Sequence, residues 1–210
     1  MRTLLSGFTL ALVAIVALAQ GPAPVPPAPP AAGPSTEFFP LKEGGTWIYK
    51  VGDGEVTVKV KSTDKGETVL QTLANAKEVA TETIKVQSDG VYRTKINATM
   101  IDPPVKILEL EMKDGKLVPK GKGAKWGVSS KVQSQVVGGE FAIGDPAKVK
   151  IADKEVDCVF VEGAKFNIAG TETSVKYYFA AGKGIVKLSY SIQGADATLE
   201  LKSYEEGKPK

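Results

Sequence analysis

Glu55-Val56-Thr57-Val58-Lys59-Val60-Lys61 decides the fold. Val56, Val58 and Val60 fall on one side of the chain and Glu55, Thr57, Lys59 and Lys61 on the other, the period of two that a strand with one buried face requires. Turn chemistry brackets the run, with Gly52-Asp53-Gly54 before it and Asp64-Lys65-Gly66 after it. Such glycine- and aspartate-bearing pairs suit tight connections between antiparallel strands.

The same alternation returns along the chain. Leu108, Leu110 and Met112 interleave with Glu109 and Glu111, and Thr198-Leu199-Glu200-Leu201-Lys202 repeats the pattern near the end. Further turn signals stand at Asp89-Gly90, Asp114-Gly115, Asp153-Lys154, Gly182-Lys183-Gly184 and Gly194-Ala195-Asp196. No long window keeps a helical apolar period, and the best helical candidate, Thr72 to Val79, reads equally well as a strand. The expected fold is therefore all-β and mainly antiparallel: a curved sheet, half-barrel or sandwich of about nine to eleven strands with little helix. Pro103-Pro104 and Pro119 are expected at loops or edges, because proline cannot donate to a ladder.

The N-terminus has a different character. Met1-Arg2 precedes an apolar run to Ala19, and Ala17-Leu18-Ala19 before Gln20 has the small-x-small form of a cleavage site. Residues 1–19 are read as a signal peptide. Residues 20–36 hold seven prolines and no charge, the composition of an extended spacer. A single β domain is expected over 37–206, followed by a short flexible tail at 207–210. The chain is expected to be exported to a periplasmic or extracellular space and to be soluble, with no membrane span after signal cleavage. It is also expected to carry no lipid anchor, since acylation at the cleavage point needs a cysteine and the chain's only one is Cys158. Within Val156-Asp157-Cys158-Val159-Phe160-Val161 that thiol reads as a small buried hydrophobe.

Composition removes many functions. Twenty-seven basic residues against 24 acidic ones give a net charge of +3, and lysines alternate singly along strand-like runs, so no nucleic-acid partner is expected. The chain has no histidine, which excludes Ser-His-Asp and Cys-His nucleophile pairs, a histidine base and a histidine-bearing metal site. One cysteine excludes a thiolate zinc site and a CxxC redox pair. Glu109 and Glu111 share a strand face roughly 7 Å apart, yet their alternation with Leu and Met marks a solvated surface. Asp145, Asp153 and Asp157 lack a calcium-loop spacing. Gly121-Lys122-Gly123 and Gly182-Lys183-Gly184 are turns, not phosphate cradles. No catalytic residue, metal ligand or cofactor is expected, and the chain is read as a non-enzyme.

Aromatic residues supply the candidate binding surface. Phe38, Phe39, Trp47 and Tyr49 cluster at the start of the domain, Tyr177, Tyr178 and Phe179 lie late, and Trp126 and Phe141 fall between them. In a curved sheet these form either a filled core or the lining of an apolar cavity. Trp47, Tyr49, Trp126 and Tyr178 are the ligand-binding candidates.

Two stretches carry a resemblance. Phe39-Pro40-Leu41-Lys42-Glu43-Gly44-Gly45-Thr46-Trp47-Ile48-Tyr49 resembles the F-P-L-x-x-G-x-x-W-x-Y opening of a loosely defined group of exported bacterial β-rich proteins. Tyr177-Tyr178-Phe179-Ala180-Ala181-Gly182-Lys183-Gly184-Ile185-Val186-Lys187 resembles their closing Y-Y-A-x-G-x-G-x-V-K hairpin. Some members are similar to periplasmic lipoprotein carriers of the LolA and LolB type, whose half-barrel closes over an apolar ligand. The resemblance implies an exported binding protein that holds a lipid or another apolar or acyl ligand in its curved sheet. The alternative is a structural or protein-interaction module of the cell envelope, with an envelope protein as partner and no small-molecule ligand.

Overall fold

The computed structural model describes residues 34–168 and 170–207. The stretch expected to be a signal peptide, most of the expected proline-rich spacer and residues 208–210 lie outside them.

Every regular element among the described residues is a strand. In chain order they are β1 (Thr46–Val51), β2 (Gly54–Asp64), β3 (Glu67–Ala74), β4 (Lys77–Gln87), β5 (Gly90–Ile96), β6 (Thr99–Lys113), β7 (Lys116–Pro119), β8 (Lys125–Val132), β9 (Gln135–Ile143), β10 (Ala147–Ile151), β11 (Lys154–Ile168), β12 (Thr171–Ala180), β13 (Gly184–Ile192) and β14 (Ala195–Glu205). The opening heptapeptide is β2, and Thr72 to Val79 ends β3 and begins β4 around Asn75-Ala76. Lys65-Gly66, Asp114-Gly115 and Gln193-Gly194 hold positive φ at both turn positions, the twist that suits two-residue antiparallel hairpins.

All pairings are antiparallel, and the sheet closes on itself. β9 follows β8 and then pairs β11, with Ile143 opposite Val161 and Phe141 opposite Gly163. The ring runs β11-β12-β13-β14-β1-β2-β3-β4-β5-β6-β8-β9, with β10 beside β11 and β7 beside β6. The expected half-barrel or sandwich of nine to eleven strands is therefore corrected to a closed barrel of twelve strands within a fourteen-stranded sheet. Alternation within a strand shows which face is buried, but the closure depends on β6 and β11 each pairing different partners along their length. That long-range choice leaves no local period.

The barrel has a narrow seam. β6 and β8 share only the pairs Ile101–Val132 and Asp102–Lys131. Pro103 and Pro104 follow at once within β6 rather than in a loop, and the missing N–H donors explain why the ladder stops there. Lower on the seam the Trp126 indole N–H donates to the Lys106 carbonyl at 2.8 Å, a side chain standing where ladder bonds are absent. Pro119 ends the edge strand β7, as expected of proline.

The two ends of the described residues meet at one mouth. The Thr36 hydroxyl donates to Leu117 O of β7 at 2.8 Å, and Gly182 N, in the β12–β13 turn, donates to Glu37 O at 2.9 Å. Residues 34–41 thus cross between two walls that are not neighbours, and Phe39 sits 6.3 Å from the Phe179 ring. Thr36 is buried, so the folded part begins before Glu37. Gly207 is buried against Lys42 and Glu43, where a Cβ would lie 2.3 Å from the Glu43 carbonyl.

Candidate functional site

Cross-strand register assigns the inward face. Directly opposed residues of an antiparallel pair share a side, and the row Phe141–Gly163–Val175–Tyr190–Ala197 runs unbroken through β9, β11, β12, β13 and β14. Tyr49 aligns in the same way with Leu201 and Val56.

Toward the mouth crossed by residues 34–41, the strapped end, this face is closed. Trp47, Val60, Leu70, Ile84, Val86, Trp126, Phe141, Ile143, Val161, Phe179, Val186 and Leu201 are all buried. The aromatic rings interlock, with Phe141 4.6 Å from Phe166, 5.5 Å from Trp126 and 6.0 Å from Tyr177. Toward the other mouth burial is mixed: Val51, Val56, Val175, Leu188, Tyr190 and Leu199, on the neighbouring strands β12, β13, β14, β1 and β2, are apolar and half-buried, whereas Ile101, Val132, Ser130, Thr173 and Ala197 are buried. We call this half-buried apolar stretch the cup.

A polar group interrupts the inward face, and we call it the polar layer. Arg93 Nε donates to Glu82 Oε2 at 3.2 Å, and their side chains remain 21% and 20% exposed. Tyr177, from the far wall, lies close enough to Arg93 to favour its charge. Burial works against the Arg93 charge, but Glu82 and Tyr177 more than offset it and hold the guanidinium protonated. Burial, with the Glu82 charge, pushes the Tyr49 phenol far up, and burial raises Tyr177 as well although Arg93 pulls the other way. Both phenols stay neutral. On β8 the Ser130 hydroxyl is buried with no hydrogen-bond partner among the described residues.

The sequence-selected aromatics divide. Trp47, 4% exposed, donates its indole N–H to Lys183 O at 2.6 Å. Tyr49 donates to Ile185 O at 2.8 Å. With Trp126 on Lys106, all three commit their polar atoms to backbone carbonyls and tie walls together. They share the inward face, whereas Tyr178 points the other way and packs on Phe160, ring to ring at 5.0 Å. Tyr177, its neighbour, is the inward residue. Arg93 and Glu82 were missed, although a signal exists: Arg93 is the chain's sole arginine after Arg2, and Glu82 interrupts the apolar face Ala80, Ile84, Val86. Arginine is the cation suited to buried pairing.

Other groups considered in the sequence lie elsewhere. Glu109 pairs with Lys106 and Lys120 and is 13% exposed, so it is largely covered rather than solvated as expected, and Asp145 pairs with Lys122. Among the described residues no three His, Cys, Asp or Glu side chains gather as a metal site. A cleft of about 470 Å³ lies between residues 34–37 and the β6–β7 hairpin, and a smaller one of about 280 Å³ sits at the open rim beside Lys165, Glu172 and Ser191.

Cys158 is buried. Burial pushes its thiol up to about 11; a backbone hydrogen bond from Val149 opposes this and Asp157 adds to it. Native protein is expected to resist an aromatic disulfide reagent at pH 8 and to react stoichiometrically once unfolded; rapid labelling of the native thiol would contradict this placement. The sign for stability follows from the raised value. An unfolded thiol ionises near about 8.5, so the contribution is complete below that pH and is lost as pH rises toward about 11.

No family model matches the chain, and no curated protein matches it. Solved structures do. A candidate lipoprotein of Parabacteroides distasonis is 10% identical with a TM-score of 0.52, the match covering 81% of this chain and 99% of that one. A candidate exported protein of Bacteroides fragilis, described as having a YmcC-like fold, is 13% identical with a TM-score of 0.52, covering 80% and 98%. What is shared is the fold. The staples, the polar layer and the cup are read from this chain's own residues.

Proposed function

We propose that this chain is an exported, non-enzymatic binding protein that takes an apolar or acyl ligand into the cup of its barrel. The observation that carries the reading is the patch of apolar, half-buried side chains that β12, β13, β14, β1 and β2 turn to the inside of the barrel, Val175, Leu188, Tyr190, Leu199, Val51 and Val56. Apolar surface left wet inside a concave wall is what an apolar ligand covers. Trp47, Tyr49 and Trp126 shape the barrel, while Val56, Val175, Leu188, Tyr190 and Leu199 make the contact. Export belongs to the same proposal. The signal-like N-terminus supports it. The two similar structures are described as a candidate lipoprotein and a candidate exported protein. The absence of histidine supports the non-enzymatic part.

Titration of the purified protein with the apolar fluorophore N-phenyl-1-naphthylamine tests the cup. Leu188→Glu places a charge on the inward face and is expected to weaken binding at least about tenfold, since desolvating a carboxylate against an apolar ligand costs well over 1.4 kcal/mol. Ser189→Glu, one residue along and outward, is expected to leave it unchanged. Equal effects of the two substitutions, or no binding to the unaltered protein, would leave the structural-module alternative standing.

A further inference from the structure

We infer that the cup selects amphiphiles with an uncharged oxygen-bearing head, such as an ester, an alcohol or an acylglycerol, over fatty-acid carboxylates, and seats that head on Arg93. The inference rests on the reading of the cup as a ligand site and adds the chemistry of its floor.

A guanidinium carries five N–H donors and no acceptor. In this barrel it bonds Glu82, with Tyr177 beside it, and about a fifth of the side chain remains accessible. On the same inward face Val56 stands directly opposite Tyr49 and Leu188 directly opposite Tyr177, with Val175 and Leu199 on the strands either side of Leu188, all apolar and half-buried. A hydrocarbon seated on this floor would cover accessible donors without an acceptor, a desolvation cost of about 1–3 kcal/mol for each. A head-group oxygen satisfies them, and the chain behind it covers the half-buried apolar side chains. Ser130, inward on β8 and without a partner among the described residues, is a second polar group awaiting one.

Charge then selects among oxygens. Glu82 already neutralises Arg93 at 3.2 Å, and the inward phenols of Tyr49 and Tyr177 are neutral, so the layer has no net charge to offer. A ligand carboxylate arriving there would meet the Glu82 carboxylate across one guanidinium, and two anions sharing one cation in a desolvated site repel. A neutral carbonyl or hydroxyl takes the same N–H groups without that repulsion.

The test compares methyl palmitate and 1-monopalmitoylglycerol with palmitate at pH 8.5, each displacing N-phenyl-1-naphthylamine from the unaltered protein. The neutral probes are expected to displace at concentrations at least about tenfold lower, the equivalent of one charged hydrogen bond. Glu82→Gln keeps an acceptor for Arg93 and removes the opposing charge, so it is expected to shift the ratio toward palmitate by at least about tenfold. If that variant does not fold, Arg93→Lys is the second probe; without the planar donor fork it is expected to lose the ester preference while still binding the fluorophore. Palmitate binding as well as its ester, or a preference unmoved by the floor variants, overturns this inference and leaves the cup intact. Failure of the headless fluorophore itself overturns the cup.

Discussion

Replacing Phe141 with alanine is expected to lower stability by about 3–5 kcal/mol, the range for a large aromatic removed from a packed interior. Phe141 is 2% exposed and touches the rings of Trp126, Phe166 and Tyr177. The space it occupies is made by glycine. A Cβ at Gly163, directly opposite, would lie 2.6 Å from its ring, and a Cβ at Gly139 would lie 2.6 Å from the ring of Phe166. Backbone hemmed in by this interlock cannot collapse into the hole, which places the cost toward the upper end of the range. The site also braces the seam, because Trp126 packs on Phe141 with its ring and on β6 with its indole N–H. In a domain of this size the midpoint should fall by roughly 6–20 °C. Denaturant titration should show a lower midpoint at an unchanged slope. A loss below about 1.5 kcal/mol would mean that the aromatic cluster is looser than its ring distances imply.

What the sequence disclosed follows the range of each signal. Alternation is local, so β2, the pairing-competent run of β6 and β14 were legible one strand at a time, as were the Lys65-Gly66 and Asp114-Gly115 hairpins. Trp47 and Tyr49 on one face also followed from period two. Closure was not legible, because it depends on Val161 of β11 meeting Ile143 of β9 and on Ile101 meeting Val132 across a seam of two residue pairs. Both are choices between strands whose individual patterns permit several neighbours.

The aromatics illustrate a second limit. Tyr177 and Tyr178 look alike in sequence, and only the bulge between Tyr178 and Phe179 and the register with Val161 decide that Tyr177 turns inward. The candidate set therefore contained three wall staples and one outward ring. The polar layer was visible in principle, as a lone arginine and a glutamate on an otherwise apolar face, but neither residue reveals its partner until β4 and β5 are brought opposite β12. Charges on a buried face are the places where local pattern and global fold disagree, and such disagreements concentrate at functional sites.

Arg93→Leu is expected to lower stability by about 2–4 kcal/mol, because it leaves the Glu82 carboxylate in the interior without its cation. Full burial would set the cost higher; side chains still 20–21% exposed keep some hydration and moderate it. Leu supplies apolar volume for the guanidinium stem, so the loss reports the orphaned charge more than a cavity. The double variant Glu82→Leu/Arg93→Leu is expected to recover most of the loss, since exchanging a buried pair for hydrophobic residues is commonly neutral. The same double variant separates stability from selectivity. With the polar floor gone, the barrel should stay folded, bind the headless fluorophore at least as well, and lose discrimination between palmitate and its methyl ester. A double-mutant cycle from denaturant titrations gives the coupling energy directly. A coupling near zero would mean that the 3.2 Å contact is incidental and that Tyr177 alone holds Arg93 in place. A double variant as unstable as Arg93→Leu would instead mean that the layer is needed to hold the two walls in register.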